Sequence, residues 1–170
     1  MEIKTDQLQK FLPLPSVTQI GIVVPHLEEA ILLYQEKFFI GSFERIADFQ
    51  KLGYHETYYR GEPEKFNSTF AFFSLGAMEV EIIQPLSGRS IYWDFLNAGR
   101  QGLHHLGFDV YGDLDQRVKA YAEVGIDVLM SGKGPNRAFA YLDTERVGGV
   151  IFELLERGGP RKRPRGSNTP

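Results

Sequence analysis

The chain has 170 residues, 42% of them hydrophobic and 24% charged, and a formal net charge of −3. This length predicts one domain or two small fused modules, with a core large enough to fold without a disulfide or a structural metal. Cysteine is absent from the sequence, which excludes a disulfide scaffold, a zinc finger and a thiol nucleophile. The apolar runs are too short to cross a bilayer, the first residues are unlike a signal peptide and the charge balance is mildly acidic. We therefore expect a cytoplasmic protein that acts on neither a membrane nor a nucleic acid.

The chain opens with a strand and a helix. Residues 1–15 are predicted to be a polar lead-in to a single domain at 16–157. Residues 18–24 (TQIGIVV) are apolar at alternate positions, which is typical of a strand with one buried face. Apolar residues then recur at helical spacing; they are Leu27, Ala30, Ile31 and Tyr34.

A long loop precedes the strands that close the first half. Residues 45–68 contain Tyr54, His55, Tyr58 and Tyr59. A long aromatic loop in a compact domain is more often a binding loop or a lid than idle chain, so we expect this segment to contact a ligand. Two strands are predicted to follow; they lie at 70–73 and 76–83.

The second half repeats this order. A short helix is predicted in the link from Pro85 to Gly102, and it leads to a second strand at 104–110 (HHLGFDV). A helical pattern then includes Leu114 and Val118, and strands at 139–142 and 148–155 match those that close the first half. The repeat predicts an α+β fold in which two similar sheets curl around a shared cleft.

The chain ends in a basic segment, residues 158–170. Its charged residues are Arg161, Lys162, Arg163 and Arg165. Because no apolar residue there can join a core, we expect a disordered, solvated tail. Contact of this tail with an acidic partner or with RNA is a weaker interpretation.

The repeat places four polar side chains at equivalent positions. Gln19 corresponds to His105 and Glu81 to Glu153, and strand alternation puts all of them on the concave face. Glu153 lies inside the apolar run VIFELL, where burying a carboxylate is costly unless something compensates the charge. Two carboxylates, an imidazole and an amide oxygen suit a divalent cation such as Zn, Ni, Co, Mn or Mg. On the same face, Gly21 and Gly107 are expected to open space for a ligand.

Each of these residues also has an ordinary structural interpretation. A single glutamate on a strand usually faces water, and a single histidine is more often a satisfied polar residue than a ligand. His104 shows that one histidine of the pair can be structural. Duplication nevertheless maps polar residues onto polar residues at two independent positions, which favours the metal site.

Several segments resemble the vicinal oxygen chelate superfamily, which includes glyoxalase I, methylmalonyl-CoA epimerase, extradiol dioxygenases and bleomycin-resistance proteins. The similar segments are TQIGIVVPHLEEAILLY with EVEIIQPL, and GLHHLGFDVYGDLDQRVKAYAEVGI with GGVIFELLE. The resemblance implies two tandem βαβββ modules, at 16–86 and 102–157, joined by a linker helix within 87–101. It also implies a homodimer and a divalent metal held by the first and last strand of each module. The residues at those positions are Gln19, Glu81, His105 and Glu153.

Within the superfamily, the segment PLSGRSIYWDFLNAGRQGLHH is most similar to methylmalonyl-CoA epimerases. Two positions differ from that group. Gln19 stands where epimerases usually have histidine, and residues 68–73 lack the carboxylate that serves as a second base in some bacterial epimerases. The set of glutamine, glutamate, histidine and glutamate instead resembles animal-type glyoxalase I, although the additional glyoxalase segments are not apparent.

The resemblance implies a metal-dependent isomerase or lyase. In this chemistry a carbonyl, thioester or acyl-CoA substrate binds the metal, which stabilises the enolate formed when an α-proton leaves. We expect Glu153 or Glu81 to be both ligand and proton acceptor. Tyr59 and Tyr141 are predicted to bind the substrate oxygens.

Three other activities are alternatives to an epimerase. The first is a glyoxalase I-like lactoylglutathione lyase. A ring-cleaving iron dioxygenase needs a second histidine where Gln19 stands, which argues against it. A resistance-type protein that sequesters a small molecule ranks lower, since such relatives commonly lack the metal ligands that this chain keeps.

Overall fold

A computed structural model describes residues 13–46 and 48–158. The first twelve residues of the predicted lead-in and all but the first residue of the predicted tail lie outside this range. The strands are β1 (Val17–Val23), β2 (Glu44–Ile46), β3 (Glu56–Tyr59), β4 (Glu62–Pro63), β5 (Asn67–Leu75), β6 (Met78–Ser87), β7 (Gly102–Val110), β8 (Val128–Gly134), β9 (Arg137–Leu142) and β10 (Ile151–Arg157). The helices are α1 (Leu27–Phe38), α2 (Ile91–Asn97), α3 (Leu114–Glu123) and α4 (Glu145–Gly148), with a 3-10 helix at Phe49–Leu52. Among the described residues, no helix has both the length and the apolar character needed to span a membrane.

All ten strands belong to one mixed sheet, in the order β2-β5-β6-β1-β7-β10-β9-β8-β3-β4. β1 runs parallel to β6 in the first module, and β7 runs parallel to β10 in the second. The modules join where β1 pairs with β7 in antiparallel orientation. The sheet curls without closing, because its edge strands β2 and β4 do not pair. The predicted α+β fold of two tandem βαβββ modules is confirmed.

Each module buries its helix against the outer face of its own strands. In the first module α1 packs Leu27 and Ile31 against Val80 and Ile82 of β6. In the second, Leu114 of α3 lies in a cluster with Leu154 of β10. The alternation along these strands leaves the opposite, concave face to the polar residues and to a cluster of aromatic side chains. The helices therefore hold the sheet in a curve around that face.

The linker between the modules contains the predicted short helix, α2. Its N-cap is Ser90, whose hydroxyl accepts a hydrogen bond from the backbone N–H of Trp93 at 3.3 Å. The helix buries Ile91, Tyr92 and Phe95 against the aromatic cluster. The linker thus closes one side of the concave face.

The segment predicted as one long loop at 45–68 is instead partly ordered as strands. Its β3 crosses to the other module and pairs with β8, which protects that strand from being an open edge. The backbone N–H of Arg60 donates to the carbonyl of Leu129 at 2.8 Å. We call residues 49–60 the crossing segment, because it spans from one module to the other over the concave face. The prediction of a loop is wrong here because the partner of β3 lies in the other module, and the local sequence pattern does not reveal such a distant pairing.

Candidate metal centre

A row of three neighbouring residues builds one half of the site. Gly21 on β1 pairs with Glu81 on β6 and with His105 on β7. A Cβ atom added to Gly21 would lie 1.8 Å from Cε1 of His105. The imidazole thus occupies the place of the missing side chain, so the expectation that Gly21 opens space for a ligand is wrong. The glycine makes room for the histidine itself.

The adjacent row repeats this arrangement with the roles of β1 and β7 exchanged. Gly107 on β7 pairs with Gln19 on β1 and with Glu153 on β10. A Cβ atom added to Gly107 would lie 3.0 Å from Oε1 of Gln19. Here too the space above the glycine is taken by a neighbouring polar side chain rather than left for a ligand. The duplication therefore brings one glutamate, one glycine and one nitrogen-containing polar side chain, Gln19 or His105, into each row.

Three of the four predicted ligands converge closely. Each of Glu81, His105 and Glu153 offers one ligand atom, and these atoms lie within 4.8 Å of one another. Nε2 of His105 is 3.3 Å from Oε2 of Glu153 and 3.5 Å from Oε2 of Glu81. All three residues are buried, with His105 fully so. Gln19, Glu81 and Glu153 line one cavity of about 130 Å³.

Buried polar atoms around this cavity lack hydrogen-bond partners. Among the described residues, Oε1 of Gln19, Nε2 of His105 and Oε2 of Glu153 accept or donate no well-formed hydrogen bond. Such atoms are rare in folded proteins, because burying them unpaired is costly. Oxygen and imidazole nitrogen are suitable donors for a divalent cation. The residues present therefore fit a metal site.

The electrostatics of the group favour a cation. Burial lowers the pKa of His105, but the negative charges of Glu153 and Glu81 outweigh burial and raise that pKa to about 9. Burial also raises the pKa of Glu81, an effect that contact with His105 only partly offsets. Two buried carboxylates thus share a single imidazole. A divalent cation would balance their charge more completely than one proton on the histidine can.

His104 orients the imidazole of His105. Gly21 pairs with His105 while Ile22 pairs with Leu103, so His104 is the extra residue of a β-bulge. The bulge brings Nδ1 of His104 to 3.0 Å from Nδ1 of His105. Burial and the charge of His105 hold the pKa of His104 well below its usual value, so the His104 ring is neutral and its Nδ1 can accept a hydrogen bond from Nδ1–H of His105. Nε2 of His105 is left facing the carboxylates.

Tyrosine side chains form one wall of the cavity. Tyr141, a predicted substrate-binding residue, lies with its ring 5.0 Å from that of His105. Its hydroxyl is 2.7 Å from that of Tyr92, a residue that strand alternation did not reveal because it lies on the linker helix. Burial first, and the charges of Glu153 and Glu81 in addition, raise the pKa of both phenols well above the usual value. Both therefore remain protonated at neutral pH, and Tyr141 can donate a hydrogen bond.

Tyr59 lies elsewhere. Its hydroxyl donates to the carboxylate of Asp94 at 2.9 Å, and Arg60 binds the same carboxylate at 3.0 Å. It is not among the residues that line the cavity with Glu81 and Glu153. The structure therefore does not bring Tyr59 to the four predicted ligands, and its substrate-binding role stays a prediction.

The described residues form a duplicated, curled sheet with a buried group of two glutamates and a histidine that could hold a metal ion. The family model for the glyoxalase/bleomycin resistance protein/dioxygenase superfamily matches residues 18–141 of this chain. The chain belongs to that superfamily, which confirms the family resemblance of the sequence.

The matched relatives share the fold at modest sequence identity. An uncharacterised protein of Bacillus subtilis strain 168, YqjC, is 31% identical over 101 residues, which cover 58% of this chain and 70% of that protein. Among solved structures, a variant of Streptomyces coelicolor methylmalonyl-CoA epimerase in complex with 2-nitronate-propionyl-CoA has a TM-score of 0.62 and 18% identity, covering 88% of this chain and 99% of its own. The hypothetical protein BH1468 of Bacillus halodurans has a TM-score of 0.61 and 19% identity, covering 87% and 98%. At these identities the solved structures establish the fold.

Proposed function

We propose that this protein is a divalent-metal-dependent isomerase of the epimerase type, which moves an α-proton of a carbonyl or thioester substrate. The observation that carries the proposal is the buried group of Glu81, His105 and Glu153 beside the unpartnered amide oxygen of Gln19. The shared fold with methylmalonyl-CoA epimerases supports the same reaction class.

The four predicted ligands, Gln19, Glu81, His105 and Glu153, would hold the metal. A bound divalent ion supplies Lewis acidity, which stabilises negative charge on a carbonyl oxygen when the α-proton is removed. Two glutamates neutralise the ion, while the amide and the imidazole add neutral donors. These four residues would hold the ion and leave it able to accept a substrate oxygen as well.

Glu153 is the residue that we propose as proton acceptor. It is 3% exposed, and its Oε2 lies 3.3 Å from Nε2 of His105 without forming a well-aligned hydrogen bond. A carboxylate that lines the cavity can act as the general base that removes the α-proton of a bound substrate. Glu81 is the second candidate, since it lines the same cavity.

Tyr141 is proposed to bind a substrate oxygen, since its protonated hydroxyl lines the same cavity. Apolar rings of Phe70, Phe72 and Phe139 form part of the remaining wall, which Arg137 and Arg157 also line. These walls limit access of water to the carbanion-like intermediate.

The substrate class that we propose is an acyl-CoA thioester. One of the solved epimerases is in complex with methylmalonyl-CoA and another with 2-nitronate-propionyl-CoA. Those ligands belong to the relatives, and they guide the choice of test compound for this chain. The homodimer implied by the resemblance and the expected cytoplasmic location are likewise proposals.

Solvent-deuterium exchange tests the proposed reaction. Metal-loaded protein is incubated with methylmalonyl-CoA in D₂O, and incorporation at the α-carbon is followed by mass spectrometry. We expect exchange by the wild type and its loss in Glu153→Gln, which keeps the shape of the side chain but removes the base. Glu64→Gln, which alters a carboxylate paired with Arg89 outside the cavity, is the matched control. Full exchange by Glu153→Gln would overturn the proposed role of this residue.

A lactoylglutathione lyase is the second candidate. The donor set of Gln19, Glu81, His105 and Glu153 favours it, because this combination resembles animal-type glyoxalase I. The hemithioacetal of glutathione and methylglyoxal is the corresponding test substrate. Turnover of this compound without exchange into methylmalonyl-CoA would replace the first proposal by the second. Failure of the wild type to bind any divalent metal would instead favour a sequestering protein.

A further inference from the structure

Glu79 is a carboxylate that the internal repeat does not account for. It lies beside Gln19, because Gln19 on β1 pairs with Glu79 on β6. In the other row, the neighbour of His105 on β10 is Ile151. The repeat thus puts an apolar residue beside the histidine and an acidic residue beside the glutamine. This difference accompanies the one position where the two modules present different ligand types.

The contact between these residues fixes the direction of the Gln19 amide. Nε2 of Gln19 donates to Oε1 of Glu79 at 2.7 Å. A carboxylate only accepts hydrogen bonds, so the NH₂ group of the amide must face it and the oxygen must point the other way. That oxygen, Oε1 of Gln19, is buried and has no hydrogen-bond partner among the described residues. It lies above Gly107, whose other neighbour is Glu153.

Arg157 holds Glu79 in this position. Its Nη2 donates to Oε1 of Glu79 at 3.1 Å, and its Nε donates to Oδ1 of Asp109 at 3.0 Å. Asp109 is 3% exposed, so the guanidinium is anchored on a fixed carboxylate. Burial lowers the pKa of Arg157, but the charges of Glu79 and Asp109 outweigh burial and raise it. The planar, permanently charged guanidinium thus ties the ends of β6, β7 and β10 together.

A glutamine ligand needs such a partner for a simple chemical reason. The two ends of an amide have nearly the same shape, but only the oxygen binds a cation, while the NH₂ end repels it. Oε1 of Glu79 already receives hydrogen bonds from both Gln19 and Arg157. Glu79 is therefore placed to orient Gln19 rather than to bind a cation through that atom.

We infer that Glu79, anchored by Arg157 and Asp109, is a positioning residue that turns Oε1 of Gln19 toward the metal. This inference rests on the metal site of the proposed function. It gives each neutral ligand its own orienting neighbour, with His104 serving His105 and Glu79 serving Gln19. Residues around the direct ligands commonly change metal affinity ten- to a hundredfold when they are replaced.

Metal titration tests this role without relying on enzyme activity. Binding of Co²⁺ is measured by calorimetry and by visible absorption, which reports the ligands around the ion. We expect Glu79→Ile, which installs the residue of the other module, to weaken Co²⁺ binding about ten- to a hundredfold. Glu79→Gln retains an acceptor for the amide of Gln19 and should lose less. Glu64→Gln, which breaks the ion pair with Arg89 away from this network, should bind Co²⁺ as the wild type does.

A double-mutant cycle separates orientation from general destabilisation. If Glu79 acts through Gln19, then Glu79→Ile should change Co²⁺ affinity no further in a Gln19→Ala background. An undiminished effect of Glu79→Ile in that background would overturn the inference, as would wild-type affinity in the single Glu79→Ile variant. Thermal unfolding of the metal-free variants verifies that each one is folded. Absence of Co²⁺ binding by the wild type would overturn the metal site itself, an outcome distinguishable from the other two.

Discussion

At the scale of single residues, the site requires glycine at two positions as well as the four candidate ligands. His105 has a place for its ring only because Gly21 lacks a side chain, and a Cβ atom there would overlap the ring at 1.8 Å. The contact above Gly107 is looser, since a Cβ atom added there would lie between 2.9 and 3.1 Å from the nearest atoms of Gln19 and Leu155. The two glycines therefore differ in how much a methyl group would disturb them.

Alanine at these glycines provides a graded test. We expect Gly21→Ala to displace the ring of His105, to cost about 1–3 kcal/mol of unfolding free energy through overpacking and to weaken metal binding strongly. Gly107→Ala should have a smaller effect on both quantities, because the added atom would lie 2.9 Å from its nearest neighbour rather than 1.8 Å. Gly148→Ala is the control, since nothing lies within 4 Å of the added atom. Urea unfolding and Co²⁺ titration measure the series, and equal effects of the first two variants would contradict this interpretation.

Sequence reasoning identified the four candidate ligands because two simple regularities coincide at them. Duplication maps Gln19 onto His105 and Glu81 onto Glu153, and strand alternation puts them on one face. The orienting role of His104 depends on a β-bulge, which shifts one residue out of alternation and cannot be foreseen from the pattern alone. The link of Glu79 to Gln19 depends on the pairing register of β1 with β6.

At the scale of elements, the crossing segment encloses the concave face. Phe49 lies 3% exposed at its start, with ring centroids of Phe66 at 4.6 Å and Tyr54 at 5.3 Å. Tyr54 in turn packs edge-on against Phe139 of β9 at 4.9 Å. These rings join the first module to the second across the cavity. Of the aromatic residues in this segment, Phe49 and Tyr54 line the cavity with Glu81 and Glu153 and also pack the two modules together.

Removing the ring of Phe49 should loosen this closure. We expect Phe49→Ala to lower the free energy of unfolding by about 3–5 kcal/mol, because the deleted ring leaves a cavity among other rings. Tyr111→Ala removes an aromatic side chain that is 57% exposed and should change stability by no more than about 0.5 kcal/mol. Urea unfolding gives both values, and hydrogen exchange reports opening at residues 49–60. A cost below about 1 kcal/mol for Phe49→Ala would show that the ring does not anchor the segment.

The order of the elements could be predicted from the sequence, whereas the pairing of the crossing segment could not. Apolar periodicity is a local signal, and it is strong in segments such as Ile20 to Val24 and the start of α1. The pairing of β3 with β8 joins residues that are far apart in sequence. The free N–H and C=O groups of an edge strand can pair with any strand, so the local pattern does not identify the partner. The prediction that Tyr59 binds substrate rests on its position in the aromatic loop, and the pairing of β3 with β8 determines where its side chain lies.

At the scale of the whole molecule, the candidate metal site lies on the junction between the two modules. Its donors come from β1 and β6 of the first module and from β7 and β10 of the second. The central pairing of β1 with β7 is therefore both the seam of the sheet and the floor of the site. Neither module alone contains the group of Glu81, His105 and Glu153, so separated modules would not hold the ion in this way.

The outer surface of α1 is unusually apolar for a helix that faces solvent. We call this surface the α1 patch; its residues are Leu32, Leu33, Phe38 and Phe39, which are 52% to 87% exposed. Phe39 has a φ of 56°, a left-handed conformation that is costly for a bulky side chain and that glycine adopts freely. A strained residue whose ring is almost fully exposed is poorly explained by the stability of the monomer. Several large apolar side chains exposed on one helix and at its C-cap are instead expected at an interaction surface.

The α1 patch is the interface that we expect for the predicted homodimer. Phe39→Gly removes the ring while suiting the left-handed backbone, so loss of the dimer in this variant could not be attributed to unfolding. We expect sedimentation velocity to show a dimer for the wild type. Phe39→Gly should raise the dissociation constant at least tenfold, since losing one buried aromatic contact removes about 1.4 kcal/mol or more. Tyr111→Gly, which removes an exposed ring outside the patch, should leave the dimer intact. A monomeric wild type, or a dimer that Phe39→Gly does not weaken, would contradict the assignment. In either case burial of the ring in a dimer would not compensate the strained backbone of Phe39.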